Sequence, residues 1–404
     1  MNSSPTLPTR VSFENTEVAF SYKSDQDLRK SYWLFRAIGM PWLTDLGTKL
    51  VKFALKIKLP IQGVLKITIF EQFCGGETIR DCAPTIARLA QCGVKTILDY
   101  SVEGEKSEDG FEQATNEILH TIAAARHAEH LPFCVFKVSG VAPVRLLAKI
   151  QAKQSLSASE QEAYERAHQR VDRLCRSAAD AGTRILIDGE ESWIQDAIDD
   201  LADEMMQTHN QERAVVYNTY QFYRQEMLAN FKKAFQRAAT YNYFLGAKLV
   251  RGAYMEKERE RAEEQGYLDP IQPSKQATDA DYNQALRYCM DNKQRISLVC
   301  GSHNAYSNQY LTLLMEKHGL APNDHRVYFA QLYGMSDHIS FNLAAAGYNV
   351  AKYVPYGPVE KVMPYLFRRA EENTSVAGQS SRELEMIRQE LKRRGRGGAE
   401  QKYH

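Results

Sequence analysis

The sequence predicts an α/β protein: a (β/α)8 barrel of the TIM type, preceded by an N-terminal helical arm. Three observations carry this expectation. Beyond residue 93, short apolar segments alternate with long amphipathic ones, eight times over. The short segments are β-branched and apolar on both faces, as parallel strands covered on both sides should be. The alternation has no break that would start a second domain, and a chain of 404 residues suits one barrel with extensions.

Residues 1–93 read as a helical arm packed on the barrel. Asp27–Phe35 and Leu43–Leu59 carry helical spacing, and Thr78–Cys92 is a further amphipathic helix stopped by Gly93 at the C-terminal cap. The barrel is expected over 94–380. Its strands are Val94–Tyr100, Phe133–Val138, Arg184–Asp188, Ala214–Thr219, Gly246–Arg251, Ile296–Gly301, Arg326–Phe329 and Asn349–Val354. The intervening helices are Gly110–Ala128, Ser157–Ala181, Ser192–His209, Tyr223–Tyr243, Ala277–Asn292, Asn304–His318, Ser336–Ala346 and Glu360–Glu372. Residues 381–404 form a basic tail with Lys392, Arg393, Arg394, Arg396 and Lys402. The tail can be helical through Arg394, until Gly395, Gly397 and Gly398 end it, and reads as a solvated, frayed terminus with lipid contact as the alternative.

Composition narrows the class of function. Hydrophobic content of 44% and charged content of 25% are ordinary for a globular protein, and a net charge of +1 gives no reason to expect a nucleic-acid partner. Seven scattered cysteines without a C-x-x-C pair suit buried thiols in a reducing compartment. His127 and His130 belong to no metal-ligand pattern, so no metal site is expected. Met1–Lys23 has the marks of neither a secretory nor an organellar signal, which points to the cytoplasm, and no run of 18 apolar residues could span a bilayer. The segment Pro41–Ile69 is apolar but studded with Lys49, Lys52, Lys56, Lys58 and Lys66. It reads as a helix packed on the domain, with peripheral contact at an inner-membrane surface as the alternative.

In such a barrel, chemistry sits at the C-terminal ends of the strands. The polar residues there are Asp99, Glu103, Lys137, Asp188, Glu190, Asn218, Lys248 and Arg251, then Ser302-His303-Asn304, Gln331, Tyr333 and Tyr353. Lys137 and Lys248 lie in apolar strands, where an unpaired ammonium is costly, so each needs a partner or a ligand. The pair Arg368-Arg369 follows a Pro/Gly-punctuated loop on an apolar helix. Two planar forks beside aromatic Tyr365 suit one small carboxylate or phosphate. Gly252 and Ala253 after Arg251 allow a bulky ligand to approach the backbone. No G-x-G-x-x-G and no phosphate-binding G-x-x-x-x-G-K-[ST] occurs, so any dinucleotide must bind the barrel itself.

Taken together, Ala247–Tyr254 (AKLVRGAY), Gly301–Asn304 (GSHN), Tyr333–Met335 (YGM), Lys352–Pro358 (KYVPYGP) and Pro364–Arg369 (PYLFRR) resemble the proline dehydrogenase family in its monofunctional form. The resemblance runs from about residue 15 to about residue 378. It implies a barrel that holds FAD non-covalently, oxidises L-proline to Δ1-pyrroline-5-carboxylate and passes electrons to a membrane quinone. It further implies that Arg368 and Arg369 grip the proline carboxylate with help from Lys137. Asp188 would border the substrate, and Tyr254, Tyr353 and Tyr365 would enclose its ring. Glu103 would pair with the first arginine and close the site. For FAD, the matching positions are Gly189, Asn218, Lys248, Arg251, Gly252, Ala253, Ser302, His303 and Glu372. Asp188, Lys248 and Lys137 are the residues nearest the chemistry. Two positions depart from the family: lysine stands at 248 where many members have arginine, and asparagine at 218 where several have glutamine. A hydroxyproline dehydrogenase of the same fold, a lyase using Lys137 or Lys248 as a Schiff base, and a non-catalytic surface-binding protein remain as rival readings. The residues leave the oligomeric state open.

Overall fold

The computed structural model describes residues 11–40, 62–101, 105–375 and 379–400. Eight strands close one parallel barrel in sequence order: β1 (Val94–Tyr100), β2 (Phe133–Phe136), β3 (Arg184–Ile187), β4 (Val216–Gln221), β5 (Leu245–Val250), β6 (Ile296–Gly301), β7 (Val327–Leu332) and β8 (Val350–Tyr356). The seam between β1 and β8 pairs Val94 with Val350 through to Tyr100 with Tyr356. Side chains alternate along each strand, so one set fills the lumen and the other packs outward on helices. Phe133, Val135, Leu186, Tyr217, Val299, Tyr328 and Tyr353 form the lumen cluster. Leu98, Ile185, Val216, Leu249, Leu298 and Val354 belong to the cluster shared with the helices. Gly246 is where β5 passes closest to β4: a Cβ there would lie 2.2 Å from the Val216 carbonyl oxygen.

The longer helices are α1 (Asp25–Ile38), α2 (Ile79–Gln91), α3 (Glu108–Ala125), α4 (Val144–Gln151), α5 (Ala158–Asp180), α6 (Ser192–His209) and α7 (Met227–Thr240). They continue with α8 (Met255–Gln265), α9 (Lys275–Asp291), α10 (Ala305–Lys317), α11 (Asp337–Ala345), α12 (Val359–Ser375) and α13 (Gln379–Glu400). Reciprocal capping boxes start three of them: Ser24 with Asp27, Thr78 with Asp81, and Ser157 with Glu160.

The wall has an exchange of partners that the alternation alone does not reveal. Helix α2, from the arm, packs on β1 and places Cys82, Ile86 and Leu89 in the barrel–helix core. It thereby takes the outer position next to β1. Helix α12, which follows β8, packs instead against α1, α13 and the turns at 62–70. Its Val362, Met363, Tyr365 and Leu366 join Phe35, Phe70, Phe73, Met386 and Ile387 in a second apolar cluster. The arm is also stitched to the end of β8: Gly75 N–H donates to Pro355 O at 2.9 Å, and Gly357 N–H to Gly76 O at 3.2 Å.

Some expectations shift. β4 begins and ends two residues later than expected. The Asn210 carboxamide accepts the N–H groups of Val215 and Val216 at 2.9 Å each, so the chain there bonds to a side chain before the ladder starts. α4 and α8 were not anticipated. α8 is nearly all charged and buries only Glu258 and Ala262, so it shows no apolar stripe. Residues 379–400 form a helix rather than a frayed end. α13 lies against α1, with Glu383, Met386, Ile387 and Glu390 buried, and its backbone stays helical past Gly395, Gly397 and Gly398. The expected helix Leu43–Leu59 lies outside the described residues, as does Pro41–Ile69 up to residue 61; residues 62–69 are helical. Among the described residues no helix is long and apolar enough to cross a membrane. The seven cysteines form no disulfide.

Candidate active site

Lys248 shares its face of β5 with Gly246, so its side chain rises inside the barrel, where the residue is only 5% exposed. Its ammonium donates to Asp188 Oδ1 and to the Tyr353 hydroxyl, the latter at 2.9 Å. Asp188 stands just past β3, its N–H donating to Phe136 O at 2.9 Å. Its second oxygen lies 4.0 Å from Lys137 Nζ. Asp188 is therefore held between two lysines, and these three groups sum to one positive charge. An ammonium in a lumen of apolar and aromatic side chains is tolerable only with such partners. Burial raises the pKa of the Tyr353 phenol, and the Asp188 and Asp99 carboxylates raise it further. Tyr353 thus stays a neutral hydroxyl at the floor of the mouth.

On the β5–β6 side, Arg251 uses most of its fork within the protein. Nε donates to Asp279 at 2.7 Å, one terminal nitrogen to Ser302 Oγ at 2.8 Å and the other to Ser307 Oγ at 2.9 Å. The guanidinium lies 4.3 Å from the Tyr282 ring centroid. Ser302 Oγ also accepts from Asn304 N–H, and Asn304 caps α10. Gly252, at φ 136°, is required by its neighbour: a Cβ would lie 2.4 Å from the Tyr223 ring. His303 lies 2.9 Å from Ser336 Oγ through Nδ1, and receives the Leu332 N–H at Nε2 at 3.5 Å. A backbone N–H can only donate, so Nδ1 carries the ring proton. Burial, reinforced by Lys352 and Arg369, pushes the imidazole pKa down to about 3, so His303 is neutral across the physiological range.

α12 and the tips of β2 and β3 also contribute to the rim. Tyr365 and Arg369 are buried, with the Arg369 guanidinium 5.1 Å from the Tyr365 ring centroid, while Arg368 is half-buried. Tyr254, at the head of α8, is buried and its phenol pKa is raised by burial; Lys137, Glu190 and Arg368 act on the same hydroxyl. The tips of β2 and β3, α8 and α12 therefore meet around Tyr254. Glu258 of α8 accepts both the N–H, at 2.6 Å, and the hydroxyl of Ser192 at the start of α6. That contact anchors α8 beside the mouth.

The fold thus gathers Lys137, Asp188, Lys248, Tyr254, Tyr353 and Arg368 at one end of the barrel, with Tyr365 and Arg369 on the helix above. Asn218 is not among them. It lies on the face of β4 that packs on helices, and its amide donates to Asp199 of α6 at 2.8 Å. The same-face alternation Tyr217, Thr219, Gln221 turns Gln221 toward the mouth instead, beside Gly189 and bonded to Glu190 O at 2.6 Å. That parity follows from the extent and register of β4, which the tertiary structure sets. Glu190, one of the strand-end acids, joins the site without any motif that marks it, beside Lys137 and Tyr254. Glu103 and the side chain of Glu372 lie outside the described residues; the Glu372 backbone is in α12.

The family model for proline dehydrogenase matches residues 82–382. The chain is 36% identical over 337 residues to a carbapenem antibiotics biosynthesis protein, CarD, of Pectobacterium carotovorum subsp. carotovorum, covering 83% of this chain and 87% of that one. It is 30% identical over 426 residues to proline dehydrogenase 1, mitochondrial, of Dictyostelium discoideum, covering 94% and 74%. It is 29% identical over 441 residues to hydroxyproline dehydrogenase of Xenopus laevis, covering 96% and 95%. Among solved structures, proline utilization A from Bdellovibrio bacteriovorus, inactivated by N-propargylglycine, superposes with a TM-score of 0.70 at 19% identity. That superposition covers 92% of this chain but only 40% of the larger protein, and it shows a shared barrel fold.

Proposed function

Because the chain belongs to the proline dehydrogenase family, we propose that it oxidises L-proline to Δ1-pyrroline-5-carboxylate, with FAD as the resident cofactor and a membrane quinone as the electron acceptor. The observation that carries this reading is the mouth itself. Two lysines flank Asp188, one of them also donating to a neutral tyrosine, and a helix brings Arg368 and Arg369 to the same mouth. Such a site is cationic and aromatic-walled, which suits a ring carboxylate.

The residues fit the cofactor. Arg251, Ser302 and Ser307 converge at the N-terminus of α10, a donor set of the kind that phosphates select. Gly189, Gln221, Lys248, Gly252, Ala253, His303 and Glu372 complete the residues that would hold FAD, with Gln221 in the place expected for Asn218. When bound, FAD supplies the hydride acceptor that no side chain can provide. The protein's part is positioning. Arg368, Arg369 and Lys137 bind the carboxylate, while Tyr254, Tyr353 and Tyr365 enclose the ring and exclude water. Lys248 keeps positive charge at the floor, where it favours developing negative charge. The division into domains follows the same logic: residues 1–93 as an arm, 94–380 as the catalytic barrel, and 381–404 as a basic C-terminal extension, whose described helix α13 packs on α1.

Anaerobic addition of L-proline to the purified protein should bleach its visible flavin absorbance. A colourless protein, or one trapped by borohydride with a carbonyl substrate, sinks the reading. The Xenopus relative keeps hydroxyproline open as a substrate. Tyr353 is buried at the floor with its hydroxyl engaged by Lys248, which leaves little room for a further ring hydroxyl. Trans-4-hydroxyproline is therefore expected to show a much lower kcat/KM than proline; equal values would transfer the assignment to it.

A further inference from the structure

We propose that Glu190 is the proton-accepting group of the mouth: it takes up a proton when a small ring carboxylate binds beside Lys137, and it positions the turn on which Lys137 stands. This rests on the carboxylate-binding reading above. Glu190 lies two residues beyond Asp188 and is 3% exposed. Its Oε1 accepts the Ser139 N–H at 2.9 Å and its Oε2 accepts the Ser139 hydroxyl. Ser139 is two residues past Lys137, so this clamp fixes the lysine-bearing turn. Glu190's own backbone is held as well, its N–H by Gln195 Oε1 at 2.7 Å and its carbonyl by the Gln221 amide at 2.6 Å.

The charged and titratable groups that face it are Lys137 from the β2 tip, Tyr254 from the head of α8 and its chain neighbour Glu191. Burial outweighs the Ser139 hydrogen bonds and Lys137, and pushes the Glu190 carboxyl up to about 7. Near neutral pH it is therefore poised between its two states. Lys137 already attends Asp188 and Glu190, and an arriving carboxylate competes for the same ammonium. Added negative charge raises the proton affinity of the neighbouring acid, so binding and protonation are linked. The new O–H bond forms on a Glu190 carboxylate oxygen. The proton comes from solvent or, for an amino-acid ligand, from its ammonium group, which must lose a proton before the amine can release a hydride.

The test uses the full-length holoenzyme and cyclopentanecarboxylate, a ring acid with no amine to oxidise. Calorimetric titration near pH 7, in buffers of different ionisation enthalpy, counts the protons taken up on binding. Wild type should take up to about half a proton, the amount available from a group titrating near the working pH. Glu190→Gln should bind the probe with that uptake lost. Ser139→Ala keeps the carboxylate but removes a hydrogen bond that lowers its pKa, so its uptake maximum should move to higher pH. Undiminished uptake in Glu190→Gln, or an unmoved maximum in Ser139→Ala, overturns the assignment. Failure of wild type to bind the probe overturns the carboxylate pocket and this assignment with it. Bleaching by proline tests the substrate reading separately.

Discussion

Lys248 shows how single residues at the mouth depend on one another. Its ammonium is buried in the lumen, and Asp188 and Tyr353 satisfy it from strands on other sides of the barrel. Removing Asp188 would leave an uncompensated charge and removing Tyr353 would cost that charge a hydrogen-bond acceptor, so these three positions act as a unit. Arg369 is different: it lies above, on α12, against the Tyr365 ring. Arg369→Met should leave flavin absorbance normal and raise the KM for proline by roughly 30-fold or more, the equivalent of about 2 kcal/mol or more for a buried charge pair. An unchanged KM would remove Arg369 from the carboxylate site. Most of this constellation is legible as residue types: Lys137, Asp188, Lys248 and Tyr353 at strand ends, Tyr254 in the turn after β5, and the arginine pair on the helix after β8. Asn218 was misassigned because a two-residue shift in the boundaries of β4 hides which of its last residues reach the mouth. Asn218 meets α6, and Gln221 meets Gly189.

At the scale of elements, local patterning identified strands and long helices well, because burial on both faces and helical spacing leave direct marks in composition. Helix α8 left no such mark, since charged side chains cover nearly all of it and its anchor is the buried Glu258, which bonds Ser192. α13 was read as a basic tail because its charged residues dominate. Yet Glu390 pairs with Arg393 and Arg394, and Met386 and Ile387 pack beside α1. α13 thus packs into the same apolar cluster as α1 and α12. Ile387 is fully buried, so Ile387→Ala should destabilise this part of the molecule by about 2–5 kcal/mol. Denaturant unfolding followed by a probe on α1 or α12 would read the loss, and a change within about 0.5 kcal/mol would mean that α13 does not brace the arm.

Among the described residues there are two main outer cores. One lies between the barrel and its surrounding helices; the other joins α1, α12, α13 and the turns at 62–73. A buried ionic group links them: Asp337 of α11 pairs with Lys352 of β8 at 3.0 Å and with Lys23 of the arm at 3.3 Å, and accepts from the Tyr22 hydroxyl at 2.7 Å. Burial alone would raise the Asp337 pKa, but Lys352 and Lys23 outweigh it and hold the carboxyl well below its usual range. Cooperative units of this kind open separately. Amides of α1, α12 and α13 should therefore exchange hydrogen through one shared opening, at lower free energy than the amides of β1–β8. A single opening common to strands and arm would contradict the division. By itself the sequence determined the barrel, its strand order and the chemical types at its mouth, because strand burial, helical spacing and motif composition are local properties. Only the tertiary structure decided that α2 takes the wall position beside β1 while α12 lies over the mouth with its arginines. Only it could turn Gln221 rather than Asn218 toward the site and set Glu190 against Ser139. Those outcomes depend on which apolar faces find each other across long stretches of chain and on the parity of each strand once its register is set, and neither is written in any one segment.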